Sequence, residues 1–471
     1  MMRTMKVSGR GVAAMAAIGL SASAATAGGF AIKEQGALGQ GSSFAGAGAS
    51  TAPSAMFFNS AAVTSNDGLN FDASITWITP DATLTATTGS TLLNFPGVNQ
   101  SAQIGRDAYV PSTAITYQLK NYDPRMYIGL AVNSPFGLKT EPDQRWAGST
   151  VGGAASVFTI DFNPTLGYKF SDQFSAAIGA QFEYGKAIFK FASGTPTGPN
   201  TFFDGESGAV GATAGLMYTP TPATRIGLGW RSQMTHELDG RFASSGSPVS
   251  AAFLSSKGAC ASPAACAATA SFLNSGFNIG QNAKAELRLP DIVTLSLSQA
   301  IAPNARLLGT IEWSNWSRLK SLDVVATGTG TNLLAFANSG GLTQSTAVGS
   351  KIGSLSAAWD DGWFFSGGLE YDVSSALTVR AGGAYEISPI SDPTQRLSGI
   401  PDANRIWASA GFSYAISQST TFDFGYSHIF VDNVQADRTG LATQPFPIRI
   451  VANLDASVDI VSVGMRMKLG Q

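Results

Sequence analysis

Few side chains in this chain are suited to breaking bonds. Its two histidines, His236 and His428, fall near predicted strand ends, and neither has a zinc-type spacing or a nucleophile pattern beside it. The two cysteines, Cys260 and Cys266, share one polar, Ala-rich segment with no His or Asp in it, too few ligands for a metal site. In an oxidising compartment a local disulfide is the expected state, with free thiols the alternative. Apolar side chains offer more. Phe202 and Phe203, then Phe253, Leu254, Phe272, Leu273 and Phe277, lie in two stretches, 191–205 and 239–284, that carry no strand pattern. Exposed on loops, they suggest contact with an apolar ligand, although the two loops packing on each other would account for them equally well. The chemistry on offer is binding; no catalytic residue, metal or cofactor is expected.

The elements that position these residues are strands. Leu377, Val379, Ala381, Gly383 and Tyr385 share one face, opposite Thr378, Arg380, Gly382, Ala384 and Glu386. The same alternation starts at Phe174, and again at Arg405. It recurs in about fourteen segments, from 68–79 through 109–119, 125–134 and 173–190 to 455–469, an even number as a single-chain bacterial barrel requires. Tight turns such as Ser171-Asp172, Ala302-Pro303 and Ser374-Ser375 alternate with long loops around 80–108, 135–155, 191–205, 239–284, 327–352, 389–403 and 432–454. A soluble β-sandwich would rarely keep that rhythm, whereas an all-β, antiparallel transmembrane β-barrel has short turns at one end and long loops at the other. Its lumen charges, Glu183, Arg231, Glu312, Glu370 and Arg380, should pair with one another around whatever fills the pore.

Composition agrees. The 471 residues are 44% hydrophobic and only 13% charged, with 53 glycines and a net charge of -2, which argues against a nucleic-acid partner. Residues 1–27 read as a signal peptide: Arg3, Lys6 and Arg10, then an apolar run from Gly11 to Leu20, then Ala25-Thr26-Ala27 as an A-x-A cleavage site. That apolar run is about half the ~20 residues of a spanning helix. Residues 28–67 do not alternate and are rich in Gly, Ala and Ser; small residues suit a compact plug packed against lumen walls, a flexible tail being the alternative. Residues 68–471 are the barrel.

Several motifs together resemble a family, the FadL-type outer-membrane transporters of long-chain fatty acids and other hydrophobic compounds. They are Gly29-Phe30 and the Gly/Ala-rich segment after it, Val132-Asn133-Ser134-Pro135-Phe136-Gly137-Leu138 with Trp146-Ala147-Gly148, and Asn163-Pro164-Thr165-Leu166-Gly167. Glu312-Trp313-Ser314-Asn315-Trp316, Trp359-Asp360-Asp361-Gly362-Trp363 and Ile400-Pro401-Asp402-Ala403-Asn404-Arg405 follow. The resemblance implies a 14-stranded monomeric barrel in the outer membrane of a Gram-negative bacterium, with an N-terminal hatch inside the lumen. It also implies passive uptake: a hydrophobic molecule is captured by external loops, passes to a hatch-gated pocket, and leaves sideways into outer-membrane lipid through a kink in the third strand.

By that resemblance Phe30 is the hatch-tip phenylalanine. Lys186 and Lys190 lie where the family places a carboxylate-binding residue, Lys351 is a looser second cation, and solvated rim lysines are the alternative. Asn133, Ser134, Pro135 and Gly137 mark the kink, because proline removes a ladder donor and glycine weakens pairing. Asn59, Ser60 and Ala61 stand where the family has Asn-Pro-Ala, and Asn59 is expected to face Glu386. The lost proline leaves the hatch geometry open, and the Lys468-Leu469-Gly470-Gln471 ending, in place of a terminal aromatic, leaves recognition by the barrel-assembly machinery open. Fatty acid and monoaromatic hydrocarbon remain alternative substrates, with an outer-membrane lipase or an open porin as competing readings.

Overall fold

A computed structural model describes residues 28–93, 98–143, 145–191, 200–245, 251–256, 262–268, 280–328, 330–331, 345–346, 348–439 and 449–469. Fourteen antiparallel strands close into a barrel. They are β1 (Leu69–Ala86), β2 (Ala108–Gln118), β3 (Met126–Asn133 and Gly137–Thr140), β4 (Gly152–Lys169), β5 (Phe174–Phe191), β6 (Asn200–Thr221) and β7 (Thr224–Arg231 and Met234–Ser245). Then come β8 (Gly280–Leu289 and Ile292–Ala302), β9 (Ala305–Ser314 and Ser321–Ala326), β10 (Lys351–Ser356 and Gly362–Asp372), β11 (Leu377–Ile387), β12 (Arg405–Ala415), β13 (Thr420–Val431 and Val434–Thr439) and β14 (Arg449–Leu469). Each pairs with its sequence neighbours, and β1 closes on β14 from Leu69↔Leu469 to Ala86↔Ala452. Closure leaves no open edge except at one interruption between β2 and β3, so backbone groups elsewhere are satisfied within hydrocarbon.

Alternation is the reason these segments take this form. Ile178, Phe182, Leu228, Trp230, Leu295, Ile311, Phe365 and Leu369 point outward and are exposed, while their neighbours in sequence face the lumen. Trp77 stacks on Tyr109, and Trp363 on Phe365, in outward aromatic pairs at ring separations of 6.2 and 6.0 Å. Several strands outrun their expected ends. β1 continues to Ala86, β6 starts at Asn200 and β14 at Arg449, because outside the bilayer both faces meet water and the apolar alternation that marks a strand fades. Phe202 and Phe203 accordingly belong to β6 rather than to a loop.

Within the barrel the segment from Gly28 to Thr64 folds as a plug: a short helix (Ala37–Gln40) and three 3-10 turns (Ala47–Ala49, Pro53–Phe57 and Ser60–Thr64), nearly all buried. Too small for a core of its own, it uses the lumen wall as one. Its polar atoms bond to wall hydroxyls: Gly46 N to Thr310 Oγ1 (2.9 Å), Gly48 N to Ser296 Oγ (3.0 Å), Ser60 Oγ to Thr213 Oγ1 (2.8 Å) and Thr64 Oγ1 to Ser175 Oγ (2.8 Å). Two wall glycines admit its backbone. A Cβ added at Gly227 would lie 1.8 Å from Gly48 O, and one at Gly382 would lie 2.2 Å from Ser42 O, so only glycine fits there.

Candidate functional site

The lumen wall changes character along each strand. On β7, Arg231 is followed by Met234, Leu238 and Phe242; on β5, Gln181 and Glu183 are followed by Ala187 and Phe189; on β8, Thr294 and Ser296 give way outward to Leu289 and Leu287. Polar side chains surround the plug, and apolar ones surround the space between the plug and the long loops. That outer region, the chamber, is occupied by one buried apolar cluster, with Phe203, Leu238, Val324, Ile352 and Ile390 packed above Phe30 at its base. Phe30, 1% exposed, meets Trp316, Trp359 and Phe136 at ring-centroid distances of 4.7, 6.0 and 6.2 Å, each edge to face. Gly29 makes this possible: its φ is 72°, and a Cβ there would come within 2.8 Å of the Trp316 ring.

The plug tip also repairs a break in the wall. The β2–β3 ladder stops at Thr113↔Val132, and the outer part of β3 pairs only with β4. Between them lie Ser134, Pro135 and Phe136, and here Ile32 N donates to Pro135 O (2.8 Å) and Gly137 N donates to Phe30 O (2.9 Å). Ala31 thus bridges Phe136 as a one-residue antiparallel strand. Gln35 fills the rest of the gap, its Nε2 donating to Ser134 O (2.7 Å), its Oε1 accepting from Ser134 N (3.2 Å), and its carbonyl accepting from Ser112 Oγ (3.0 Å). Asn133 Nδ2 donates to Ser112 Oγ across the gap (2.9 Å).

Under the tip sits a buried charge cluster. Lys33 and Glu34 are the only charged residues between Gly28 and Asn66. Lys33 Nζ lies 2.5 Å from Glu312 and 3.8 Å from Glu386, and these carboxylates hold its pKa above the ordinary value in spite of burial. Glu386 also accepts from Gly28 N (2.9 Å) and Trp407 Nε1 (3.2 Å), and Arg405 pairs with Asp402 and approaches Glu386. The carboxylate of Glu34 is fully buried and has no hydrogen-bond partner among the described residues; burial pushes its pKa up to about 7.

Asn59 does not face Glu386. It caps the turn Ser60–Thr64, accepting from Ala61 N (3.0 Å) and donating to Gly48 O (2.8 Å) and Leu216 O (3.0 Å), on the β6 side of the lumen. The partner of Glu386 is instead the start of the plug. Lys186 and Lys190 share the outward face of β5 with Phe182 and Tyr184, and approach Asp204 (3.3 Å) and Glu141 (3.9 Å); neither enters the chamber. The parity that makes Phe182 lipid-facing puts residues 186 and 190 outside as well. Lys351 pairs with Asp323 (2.7 Å) and is exposed. Phe203 lines the chamber, while Phe202 has the opposite parity. Phe253 and Leu254 lie in a short helix, Ala251–Ser256. Cys260, Phe272, Leu273 and Phe277 lie outside the described residues; Cys266 is buried and disulfide-bonded.

His236, expected near a strand end, lies inside the lumen. It is buried on the lumen face of β7, its Nε2 2.8 Å from Glu183 Oε1 and its Nδ1 2.8 Å from Ser207 Oγ, beside the Arg231–Asp161 pair (2.7 Å). Spacing along the chain cannot show this, because the three residues come from three strands. Trp316 and Trp359 are legible in the sequence as motif residues but not as site residues, since their side chains turn inward where β9 and β10 are interrupted.

A β-barrel whose lumen holds its own N-terminal segment, with an apolar outer region and a wall gap that this segment stops, is the architecture shared by a family of outer-membrane transporters of hydrophobic compounds. The chain belongs to the outer membrane protein transport protein family (OMPP1/FadL/TodX), whose model matches residues 18–469. It is 25% identical over 445 residues to a long-chain fatty acid transport protein of Escherichia coli O6:H1, covering 89% of this chain and 90% of that protein. A 47 kDa outer membrane protein of Pasteurella multocida is also 25% identical, over 93% of this chain and 95% of its own. Among solved structures, a Pseudomonas aeruginosa FadL homologue superimposes with a TM-score of 0.76 at 20% identity, covering 94% of this chain and 100% of that one. The toluene transporter TodX of P. putida superimposes with 0.66 at 13%, over 93% and 99%. The protein resides in the outer membrane of a Gram-negative bacterium.

Proposed function

We propose that this barrel takes up hydrophobic compounds with a long apolar body, long-chain fatty acids and their relatives, by ligand-gated passive diffusion as a monomer in outer-membrane lipid. External loops deliver the compound to the apolar chamber, where each buried methylene contributes about 0.8 kcal/mol. Filling the chamber displaces Phe30, and with it the backbone bonds from Phe30 and Ile32 to β3. The gap at Ser134–Phe136 then opens sideways to lipid. The single observation behind this reading is that one short segment, Phe30–Ile32, both floors the chamber and stops the wall gap.

Ala31 and Phe136 form a non-hydrogen-bonded antiparallel pair, in which Cα atoms lie about 4.5 Å apart, close enough to bridge. The double variant Ala31→Cys/Phe136→Cys, made in a Cys260→Ser/Cys266→Ser background, should lose uptake of a fluorescent fatty acid when oxidised and regain it on reduction. Uptake indifferent to the cross-link would reject lateral release at this gap. A hydrolytic reading draws on Ser207, His236 and Glu183, whose contacts run in the order of a serine hydrolase triad. Labelling of Ser207 by a fluorophosphonate would favour it; uptake of intact ester with Ser207 unlabelled favours transport.

A further inference from the structure

We propose that the chamber floor is a binding site for an uncharged ligand whose oxygen accepts hydrogen bonds from the indole N–H groups of Trp316 and Trp359. The inference rests on the uptake reading and narrows it to a substrate class: hydrophobic esters, ethers, ketones and alcohols ahead of ionised fatty acids.

Two independent observations carry it. First, Trp316 is 0% and Trp359 1% exposed, and neither Nε1 has a hydrogen-bond partner among the described residues. A buried indole N–H normally finds an acceptor, because leaving a donor unmade in an apolar setting costs free energy. The two rings sit 5.4 Å apart against Phe30, on the surface that a ligand displacing the plug tip would uncover. Their placement is built in. Trp316 begins the turn Trp316–Arg318 that interrupts β9, and Trp359 interrupts β10 beside Ala358, a residue with a Cβ held at φ 49°. The backbone there is tied down by Ala357 N and Ala358 N, both donating to Lys320 O (2.9 and 2.8 Å).

Second, every buried cation among the described residues is already committed. Lys33 is held by Glu312 and Glu386, Arg231 by Asp161 and Arg380 by Glu370 (2.7 Å), and the charge of Arg405, whose nitrogens make no hydrogen bond among the described residues, is balanced by Asp402 and Glu386. Arg396 spends its donors on the carbonyls of Asp402, Ile390 and Gln435. From Gly28 onward, the residues outside the described set add one cation to the composition, Lys257. An ionised carboxylate entering the chamber would therefore lose its hydration without gaining a counter-charge, a penalty that neutral donors do not offset. An ester or alcohol loses far less and gains the two indole bonds.

The test compares oleate, oleyl alcohol, methyl oleate and octadecane binding to the detergent-purified full chain at pH 8, by calorimetry and tryptophan fluorescence. Methyl oleate and oleyl alcohol should bind at least tenfold more tightly than oleate. Trp316→Phe and Trp359→Phe keep the rings and remove the donors; each should weaken methyl oleate about fivefold and leave octadecane unchanged. Tighter binding of oleate than of oleyl alcohol, or an ester-over-octadecane preference that survives the double Phe variant, would overturn the site assignment. If none of the four ligands binds, octadecane included, the uptake reading falls and this inference with it.

Discussion

The two halves of the lumen are built from the same strands and do opposite things. In the inner half, wall hydroxyls and charges bind a peptide, the plug, through hydrogen bonds to backbone N–H and C=O groups that are directional and demand a fixed fit. In the outer half, apolar side chains form a buried cluster whose attraction is non-directional and scales with the area removed from water. A gate needs both. On the proposed mechanism the polar half sets one closed position for the plug, and the apolar half lets any sufficiently long hydrophobe compete for the place over Phe30. The boundary between them passes through Phe30, Lys33 and Glu34, which is where the two kinds of force meet.

Removing the inner-half occupant is the strongest way to break that contrast. Deleting Gly28–Ser65 should turn a nearly silent protein into a conducting pore, at least tenfold higher in planar-bilayer conductance; an unchanged trace would mean that the plug does not seal the lumen. Next comes the wall that holds it. Arg231→Leu strands the buried carboxylate of Asp161, and the cation over Phe57 at 4.5 Å is lost too. Breaking such a pair costs about 3–5 kcal/mol, to be read as a lowered midpoint of unfolding in denaturant. In the outer half, Phe203→Ala removes a fully buried ring from the chamber side. The cavity should destabilise the barrel by about 3 kcal/mol and alter ligand-length preference, without any rise in basal conductance.

The boundary predicts a pH effect. Burial raises the Glu34 carboxyl from its ordinary 4.5 to about 7, so the docked plug binds that proton more tightly than the undocked one. Docking is then strongest below the ordinary value and weakens as pH rises towards 7 and beyond. Channel openings should become more frequent from pH 5 to pH 8, and Glu34→Gln should flatten the profile at the low-pH level. A profile that stays steep in the variant assigns the effect to another group. The smallest expected effect is on the outer surface: Lys186→Ala and Lys190→Ala should shift oleate affinity by less than about 0.5 kcal/mol, as for exposed pairs. A larger loss would put one of them in the ligand's path.

Alternation along single strands is legible in the amino-acid order, because side-chain direction in a strand is a local property with period two. It yields the strand number, the lipid-facing residues and the N-terminal segment where alternation stops. The same parity, applied to Lys186 and Lys190, points them outward, and it outweighs the family analogy that would put them in the pocket. Pro135 and Gly137 are readable as a break for the same local reason. Which residues fill that break is not. Ala31 meets Phe136, Gly28 meets Glu386, and Ser207, His236 and Glu183 meet across three strands. Each of these pairings depends on the shear of the closed barrel and the depth to which the plug seats, and both are set by all fourteen strands together. The sequence by itself determined an outer-membrane barrel preceded by a segment without strand alternation, since hydrophobic period and composition need no partner to be read. Only the tertiary structure decided that the buried charges are spent around the plug and that two tryptophan donors at the chamber floor have no acceptor among the described residues. Pairing is a property of what closure brings within hydrogen-bond reach.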